Sequence, residues 1–381
     1  MNAGAGTVSQ GADLVFGRDA LALGARACGT EGARVRIAFQ SGQRAAVAEC
    51  SAAWESAQIE EHAWESLLSI DLEDLEGLAR TTTVGAQLLA AHSAWAAPVP
   101  EPEIMGVVNV TPDSFSDGGL FLEPEQAIEH GLQLAAEGAA WLDVGGESTR
   151  PGAPEVSVDE ELRRVLGVVE ALANAQPAQV SIDTRKAEVA RAALDRGARM
   201  VNDVGAGLDD PEMLALLAER GADYCLMHRQ GSIGEMQEDP RYGDPVAEVT
   251  EFLRQRVAAC LAAGIKLERL YLDPGIGFGK TLDHNLELLR RLGELRSLGL
   301  PLLLGVSRKS FIGDLRAAPQ RPAGHNRPPS SRLGGTAAAI SFCVSGGARV
   351  LRVHDVAVMA EAASVARALK LPPAPRPKRP A

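Results

Sequence analysis

Charged and amide side chains stand where several short apolar runs of the sequence end. Four of them are cationic or can become so, and together could bind the several negative oxygens of a pyrophosphate: Arg150, Lys309, Arg352 and His354. Three others offer the acceptors and donors that suit a flat, amide-rich heterocycle: Asp183, Asn202 and Asp273. The residue types therefore predict a site that holds an anion on one side and recognises a polar ring on the other.

The apolar run from Ile104 to Val110 contains an asparagine at its end and is followed by turn-forming residues from Thr111 to Gly119. By itself, a strand that opens into a polar loop is more often an ordinary strand exit. Asn109 and the loop acids Asp113 and Asp117 would nevertheless supply hard oxygens beside the anion, which suits Mg²⁺ shared with phosphate oxygens. One amide oxygen makes an incomplete metal site, so the substrate would have to complete it.

The segment Pro274–Thr281 reads PGIGFGKT and differs from a phosphate-binding P-loop because proline replaces the required first glycine. This mismatch argues against a nucleoside triphosphatase. The three glycines allow either close approach to a ligand or a tight turn: Gly275, Gly277 and Gly279. His228 likewise has two interpretations, a site residue or a buried core histidine.

Eight apolar runs alternate with helix-period segments between residues 101 and 370; the runs are IMGVVNV, AAWLDV, AQVSID, ARMVNDV, ADYCLMH, LERLYLD, LPLLLGVS and ARVLRVHD. Glycine follows four of the helical segments, where a helix commonly ends: Gly138, Gly197, Gly221 and Gly264. This pattern predicts an α/β protein with a (β/α)8 TIM barrel. In such a barrel all carboxyl strand ends open on one face. The polar groups at the eight ends include Asn109, Asp143, Asp183, Asn202, His228, Asp273, Ser307 and Arg352. One polar strand end is usually a turn residue, but eight together favour a functional face.

The remaining parts of the chain carry no catalytic pattern. An N-terminal extension of about 100 residues, 1–100, contains 6 Lys and Arg against 12 Asp and Glu; we interpret it as a small α/β unit for packing or assembly. Within it we predict strands at Ala33–Phe39 and Arg44–Glu49, an acidic helix around Ile59–Leu78 and an alanine-rich helix before Ala96. The proline-rich segments Ala317–Ser331 and Leu371–Ala381 are predicted to be disordered.

Composition narrows the class of protein. Hydrophobic residues make up 46% and charged residues 23% of the chain, as expected for a globular protein. The net charge of -12 argues against general affinity for nucleic acid or for an anionic membrane. Five dispersed cysteines without a CxxC pair indicate reduced thiols and no zinc framework. With no signal-like start and no long apolar segment, we expect a cytoplasmic protein.

The motifs resemble those of the dihydropteroate synthases, pterin-binding enzymes of the folate pathway. VNVTPDSFSDGG and DVGGESTRPG resemble the two mobile loops of that family, and SIDTRK, VNDV, LMHRQG, DPGIGFGK, GVSRKSFIG and RVHDV follow in family order. The resemblance covers roughly residues 103 to 370. It implies condensation of (7,8-dihydropterin-6-yl)methyl diphosphate with 4-aminobenzoate, giving 7,8-dihydropteroate and diphosphate for tetrahydrofolate biosynthesis, and a target for sulfonamides.

The resemblance also assigns roles by motif. Asn109 would bind Mg²⁺ together with the substrate diphosphate, which Arg150, Arg352 and His354 would hold. The pterin would lie against Asp183, Asn202, Asp273 and Lys309. Met227 and Phe278 would line the pterin slot and the aminobenzoate side, and Thr149, Pro151 and Ser307 would lie near the aminobenzoate. Asp117 is our choice for the carboxylate that stabilises the cationic centre or the incoming ammonium, so the catalytic set is Asp117, Arg150, Lys309, Arg352 and His354.

Two alternatives stay open from the sequence. A pterin-dependent methyltransferase would share the barrel and the acidic pterin contacts, but it should lack the diphosphate-binding set. A noncatalytic barrel scaffold should have lost some of the polar strand ends. We expect small-molecule substrates, no nucleic-acid or membrane partner, and a homodimer.

Overall fold

The computed structural model describes residues 26–31, 34–40, 47–48, 52, 54, 56–61, 65–111, 124–149, 153–315 and 328–370. Several sequence predictions lie outside these ranges: Asp113, Asp117, Arg150, Pro151, most of the segment 317–331 and the tail 371–381. The end of the segment predicted to be disordered is described, and there Pro329–Ser331 forms a short 3-10 helix. Its proline stands in the first turn, where a missing N–H has no cost.

The described part of the N-terminal region contains a four-stranded antiparallel sheet in the order β1-β2-β4-β3. The strands are β1 (Arg26–Glu31), β2 (Arg34–Gln40), β3 (Gln58–Glu61) and β4 (Glu65–Asp71), and the helices are α1 (Leu72–Thr81) and α2 (Thr83–Ala96). One sheet face supplies Ile37, Phe39 and Leu68 to a core shared with Leu78 and Leu88 of the helices. The unit is therefore an α/β layer with its own apolar core.

Two N-terminal predictions are corrected by this sheet. The acidic helix predicted around Ile59–Leu78 is wrong in its first part, because Gln58–Glu61 and Glu65–Asp71 are strands and the helix begins only at Leu72. Pairing of β4 with β2 buries Leu68 and Ile70 and outweighs the helical composition. Within the strand predicted at Arg44–Glu49, the two described residues, Val47 and Ala48, are helical. Their turn places Val47 in the core.

Eight parallel strands form a nearly closed barrel in the described residues, as predicted. They are β5 (Glu103–Asn109), β6 (Trp141–Gly145), β7 (Gln179–Asp183), β8 (Met200–Asp203), β9 (Asp223–Met227), β10 (Leu270–Asp273), β11 (Leu303–Gly305) and β12 (Val350–Val353). Seven neighbouring pairs are in register along the order β10-β9-β8-β7-β6-β5-β12-β11. A parallel bridge between Leu272 and Leu302 joins the last two neighbours and closes the ring.

Helices follow each barrel strand. They are α3 (Pro124–Ala136), α4 (Val158–Ala175), α5 (Ala187–Asp195), α6 (Met213–Arg220), α7 (Pro245–Ala262), α8 (Leu282–Arg290), α9 (Leu292–Leu295), α10 (Ser310–Asp314), α11 (Leu333–Ser345) and α12 (Val356–Lys370). At the start of α7, Asp244 accepts hydrogen bonds from two backbone N–H groups and Pro245 opens the helix. The four predicted glycine stops have positive φ, between 62° and 106°, which confirms them. Within the described residues, no helix has both the length and the apolar character needed to span a bilayer.

The N-terminal unit contacts the barrel far from the carboxyl strand ends. The backbone N–H of Ala27 donates a buried 2.8 Å hydrogen bond to Ser297. Arg296 donates to the carbonyls of Ala97 and Pro98. Since Arg296–Leu298 lie just before β11, these contacts are at the amino end of the barrel. The extension is thus placed beside the end opposite to the predicted site.

Candidate active site

Arg352 on β12 is held by carboxylates from two other strands. Its Nε lies 2.5 Å from Asp143 Oδ2 on β6, and its second guanidinium nitrogen lies 2.7 Å from Asp183 Oδ2 on β7. Asn202 on β8 donates to the same Asp143 oxygen at 3.0 Å. Four strands therefore bring one cation, two carboxylates and one amide into contact, as the strand-end pattern predicted. Asp143 was seen in the sequence as a strand-end residue, but its role in orienting Arg352 was missed.

The charges of this cluster are shifted by burial. Burial raises the pKa of Asp183 to about 7; Arg352 opposes the shift, while the neighbouring Asp143 favours it. Burial disfavours the guanidinium, yet the two carboxylates raise the pKa of Arg352 above its ordinary value. Two buried carboxylates share one arginine, so one of them can carry a proton near neutral pH. Asp143 Oδ1 is buried and lacks a hydrogen-bond partner among the described residues.

Lys309, at the start of α10, lies against the loop that follows β10. Its ammonium donates to the carbonyl of Ile276 and lies 4.3 Å from the ring centroid of Phe278. Burial lowers the pKa of Lys309 to about 8, Asp273 and Asp183 raise it and Arg352 lowers it. Because Asp273, Asp183 and Arg352 all affect the pKa of Lys309, this lysine lies at the same barrel end as the Arg352 cluster.

Glycines of the loop after β10 permit close backbone contact with the end of β9. Gly275 has φ of 68°, and a Cβ placed there would lie 1.8 Å from the carbonyl oxygen of His228. Gly279 has φ of 61°, and its Cβ would lie 2.4 Å from the carbonyl oxygen of Gln230. Of the two interpretations left open by the sequence, the tight turn explains these two glycines. Asp273 accepts the Gly275 N–H at 2.7 Å, which fixes the carboxylate at the start of the turn.

The lysine of the same motif is a residue whose role the sequence did not predict. Lys280 is 3% exposed, and its Nζ lies 2.9 Å from His228 Nδ1, 3.0 Å from the Phe278 carbonyl and 3.5 Å from the His228 carbonyl. Burial lowers the pKa of Lys280 well below its ordinary value, while Asp273 raises it. As an ammonium, Lys280 donates all three of these hydrogen bonds, and His228 Nδ1 then accepts one as a neutral imidazole. Burial, and then the Lys280 charge, lower the pKa of His228. His228 also contacts the Phe252 ring edge-to-face at 4.8 Å, so it is a core histidine with a structural partner.

Ser307 and His354 meet where β11 and β12 end. The Ser307 hydroxyl lies 3.0 Å from His354 Nδ1 and 3.2 Å from the His354 backbone N. Arg308, between Ser307 and Lys309, has φ of 57° and pairs with Asp355. A non-glycine residue in the left-handed region is uncommon, and such residues cluster at functional sites.

Comparisons with known proteins agree with this arrangement. The family of pterin binding enzymes matches residues 105–354. The dihydropteroate synthase of Escherichia coli is 48% identical over 267 residues, which is 70% of this chain and 91% of that protein. That of Mycobacterium leprae is 49% identical over 264 residues, 69% of this chain and 92% of that protein.

The chain belongs to the dihydropteroate synthase family of pterin-binding enzymes.

Solved structures of this family share the fold. Yersinia pestis dihydropteroate synthase in a sulfonamide drug complex has a TM-score of 0.66 at 44% identity, covering 71% of this chain and 94% of that chain. The Xanthomonas albilineans enzyme with 4-aminobenzoic acid has a TM-score of 0.65 at 46% identity, covering 72% and 95%. A structure of that enzyme in complex with 7,8-dihydropteroate has a TM-score of 0.63 at 44% identity, covering 73% and 97%. These relatives favour the dihydropteroate synthases over the methyltransferase and scaffold alternatives.

The metal site expected from family resemblance fits the described residues only in part. Asn109 is half-buried and ends β5, at the carboxyl face of the barrel. The described residues contain no group of three or more His, Cys, Asp or Glu that could hold a metal ion. Mg²⁺ often uses one or two protein oxygens and takes the rest from phosphate and water. The donor set therefore fits a metal that arrives with, or is completed by, a phosphate-bearing substrate.

The remaining predicted site residues of the dihydropteroate synthase motifs have the following places. Met227 is buried at the end of β9, and Thr149 is half-buried in the segment after β6. Asp117, Arg150 and Pro151 lie outside the described residues. The structure therefore brings the residues predicted to bind the pterin and two of those predicted to bind the diphosphate to one barrel end.

Proposed function

We propose that the barrel condenses (7,8-dihydropterin-6-yl)methyl diphosphate with 4-aminobenzoate to give 7,8-dihydropteroate and diphosphate, in tetrahydrofolate biosynthesis. The observation that carries this proposal is the cluster of Arg352, Asp143, Asp183 and Asn202, with Lys309 and Asp273 at the same barrel end. It combines cations for an anion with carboxylates and an amide for a polar ring.

The substitution is dissociative in this proposal. The bond between the pterin methylene carbon and the diphosphate oxygen breaks, the bond to the amine nitrogen forms, and the resulting ammonium loses one proton. Positive charge develops on a carbon attached to an electron-rich ring, so the protein must stabilise the leaving anion and exclude water. Arg352, His354 and Arg150 take the leaving charge, and Asp117 stabilises the cationic centre or the ammonium.

Asp183 and Asp273 bind the polar edge of the pterin, with Asn202 and Lys309 completing the contacts. With a pKa of about 7, Asp183 can accept a proton from the pterin ring or donate one to it at neutral pH. Asp273 is fixed by the Gly275 N–H, and burial raises its pKa while Lys309 lowers it. Asn109 would hold Mg²⁺ together with the substrate diphosphate, and the metal would there supply positive charge for the leaving group.

The proposed binding partners and cellular location of the protein rest on its net charge, its thiols and its exposed apolar side chains. A net charge of -12 supports small-molecule substrates rather than nucleic acid or an anionic membrane. Cys225, Cys260 and Cys343 are buried free thiols, which supports a reducing compartment such as the cytoplasm. Phe342 on α11 and Val358 and Val365 on α12 are exposed apolar side chains on two helices that contact each other, which supports a homodimer.

The test is formation of dihydropteroate by the purified full chain and by Arg352→Gln. We expect product from the unchanged chain and a loss of about 100-fold or more in kcat/KM in the variant, because a cation that contacts the leaving group is removed. Comparable activity in both proteins would contradict the proposal, as would absence of product from the unchanged chain.

A further inference from the structure

Side chains hold the backbone of the turn that joins β10 to α8. Four consecutive carbonyl groups of this turn each accept a hydrogen bond from a different side chain: Ile276 from Lys309, Gly277 from Gln237 at 2.5 Å, Phe278 from Lys280 at 3.0 Å and Gly279 from Tyr242 at 2.9 Å. Gln237 and Tyr242 belong to the segment after β9, and Lys309 begins α10. The turn is therefore fixed from several parts of the chain, and moving it would leave polar groups without partners.

Asn285, near the start of α8, holds the same turn from the helix that follows it. Its Oδ1 accepts the backbone N–H of Gly277 at 2.7 Å. Its Nδ2 donates to the carbonyls of Thr281 at 2.7 Å and Lys280 at 3.4 Å. Asn285 is 3% exposed, so water has little access to replace these bonds. One buried amide thus connects the middle of the turn to its end.

Gly277 is held through both of its backbone polar groups. Asn285 accepts its N–H, and Gln237 donates to its carbonyl. Gly277 has φ of 84°, and a Cβ placed there would lie 3.0 Å from Cδ of Lys309. The third glycine of the motif is therefore explained by the close passage of the Lys309 side chain, and the place of Gly277 limits where that side chain can lie.

Lys309 lies on the part of the turn that is held. Its ammonium donates to the carbonyl of Ile276 and lies 4.3 Å from the ring centroid of Phe278, the residues on either side of Gly277. The same turn fixes Asp273, whose Oδ1 accepts the Gly275 N–H at 2.7 Å. Two groups that contact the pterin diphosphate in the proposed function therefore depend on the conformation of this turn.

We propose that Asn285 is a positioning residue for the pterin diphosphate, which it serves by holding the turn on which the Lys309 ammonium lies. This inference rests on the proposed function, in which Lys309 contacts that substrate. Gln237 supports the same residue, Gly277, from an exposed position, where water can replace a lost hydrogen bond. The contribution of Asn285 should therefore be the larger of the two.

The charges around Lys309 give this role a signature in the pH dependence. Burial is the largest cause that lowers the pKa of Lys309 to about 8; Asp273 and Asp183 raise it, and Arg352 lowers it. Lys280, in the turn itself, also interacts electrostatically with Lys309. If the turn loosens, water reaches the ammonium, and the pKa of Lys309 should rise towards its ordinary value. A general structural defect would weaken binding without this shift.

The test is Asn285→Ala, studied by calorimetric titration with the pterin diphosphate and Mg²⁺ at neutral pH and by kcat/KM as a function of pH. We expect the Kd to rise about tenfold, because the Lys309 ammonium is no longer held in place. We also expect the fall of kcat/KM above about pH 8 to begin at a higher pH than in the unchanged chain.

Gln237→Ala provides an independent arm from a different segment. Its side chain is exposed, so the variant should fold. The Kd should rise by about threefold, less than in Asn285→Ala, and the alkaline fall of kcat/KM should move in the same direction. If Asn285→Ala does not fold, an unchanged Kd and an unchanged pH dependence in Gln237→Ala would overturn the proposal.

The matched control is Ser297→Ala at the amino end of the barrel. Ser297 is completely buried and accepts the backbone N–H of Ala27 at 2.8 Å, so this variant also removes a buried acceptor of a backbone hydrogen bond. It should leave the Kd and the pH dependence unchanged.

Two results would overturn the role of Asn285. One is an unchanged Kd in Asn285→Ala, and the other is a raised Kd with the alkaline fall of kcat/KM at its original pH. Equal changes in Ser297→Ala would likewise contradict a role specific to the turn. Absence of dihydropteroate from the unchanged chain would instead contradict the proposed function, so the two failures are distinguishable.

Discussion

The two ends of the barrel interior are built from the same strands but differ completely in chemistry. The amino end is filled by an apolar cluster of Met105, Trp141, Met200, Cys225, Leu303 and Val350. Trp141, Met200 and Val350 are each followed, two residues further along the same strand, by a polar residue that lies on the same side of the strand. These polar residues are Asp143, Asn202 and Arg352. A step of two residues thus replaces apolar packing by hydrogen-bonded charges. We therefore assign stabilisation of the fold to the amino end of the interior and propose that the carboxyl end binds the substrate.

The largest expected effect is at the charged end. Asp183→Ala and Asp273→Ala should reduce kcat/KM by about 1000-fold or more while the barrel stays folded, because each leaves the polar edge of the pterin without its partner. Calorimetric titration with the pterin diphosphate and circular dichroism measure the two quantities. If either variant bound the pterin diphosphate normally, the replaced carboxylate would not be a residue that recognises the ring.

At the apolar end, Trp141→Ala should lower stability and spare chemistry. Trp141 is 2% exposed and its Nε1 donates to Glu103 at 2.9 Å, so truncation leaves a large cavity and removes one of the two donors to Glu103, the other being Arg349. The free energy of unfolding in urea should fall by about 3–5 kcal/mol. Activity below the unfolding transition should be retained, and a folded but inactive variant would break the comparison between the two ends.

Lys280→Met should give an intermediate effect, since it lies behind the charged end rather than in it. Methionine keeps the length but leaves His228 Nδ1 and the Phe278 carbonyl without a donor, at a cost of about 1–3 kcal/mol in stability. The pKa of His228, measured by NMR, should rise in the variant because the Lys280 charge lowers it in the intact protein. An unchanged His228 pKa would contradict the contact.

Deprotonation of Lys309 should reduce kcat/KM at alkaline pH. Its pKa of about 8 means that the ammonium is charged below this pH and neutral above it. We therefore expect kcat/KM to fall as pH rises through about 8, by about tenfold per unit well above the pKa. In Lys309→Arg, whose guanidinium stays charged, this limb should disappear or move to higher pH; an identical limb would assign the titration to another group.

The smallest effect on activity is expected from removal of the N-terminal unit. A chain that begins near Pro98 should keep kcat/KM within about threefold, because a change distant from the site leaves transition-state contacts in place. Stability or solubility should decrease, since the contacts of Ala27 and Arg296 are lost. A soluble, folded and inactive shortened chain would show that the extension completes the site.

The difference between the regions also governs what the sequence could predict. Barrel strands are buried on both faces and read as continuous apolar runs, while their ends are marked by polar residues and their helices by glycine. This local pattern predicted the eight units and the strand-end residues. The strands at Gln58–Asp71 were mistaken for helix because their burial depends on pairing with β2, which is distant in sequence.

Local sequence patterns likewise could not predict the contacts between side chains of different strands. Asp143 was visible as a polar strand end, but its bond to Arg352 joins residues 209 positions apart. Lys280 is buried, and Arg185 forms a 3.2 Å ion pair with Glu147, only because loops that are distant in sequence meet in the folded barrel. Residue types predicted the chemistry of the site, and tertiary structure decides which side chains orient the others.

The most direct test of the account is a calorimetric titration of the full chain with (7,8-dihydropterin-6-yl)methyl diphosphate, with and without Mg²⁺, in the unchanged protein and in Asn109→Ala and Trp141→Ala. We expect Mg²⁺-enhanced binding in the unchanged protein and in folded Trp141→Ala. We expect weaker binding with little Mg²⁺ dependence in Asn109→Ala. Equal, Mg²⁺-independent binding by all three proteins would contradict the assignment of the charged barrel end to the pterin diphosphate and its metal.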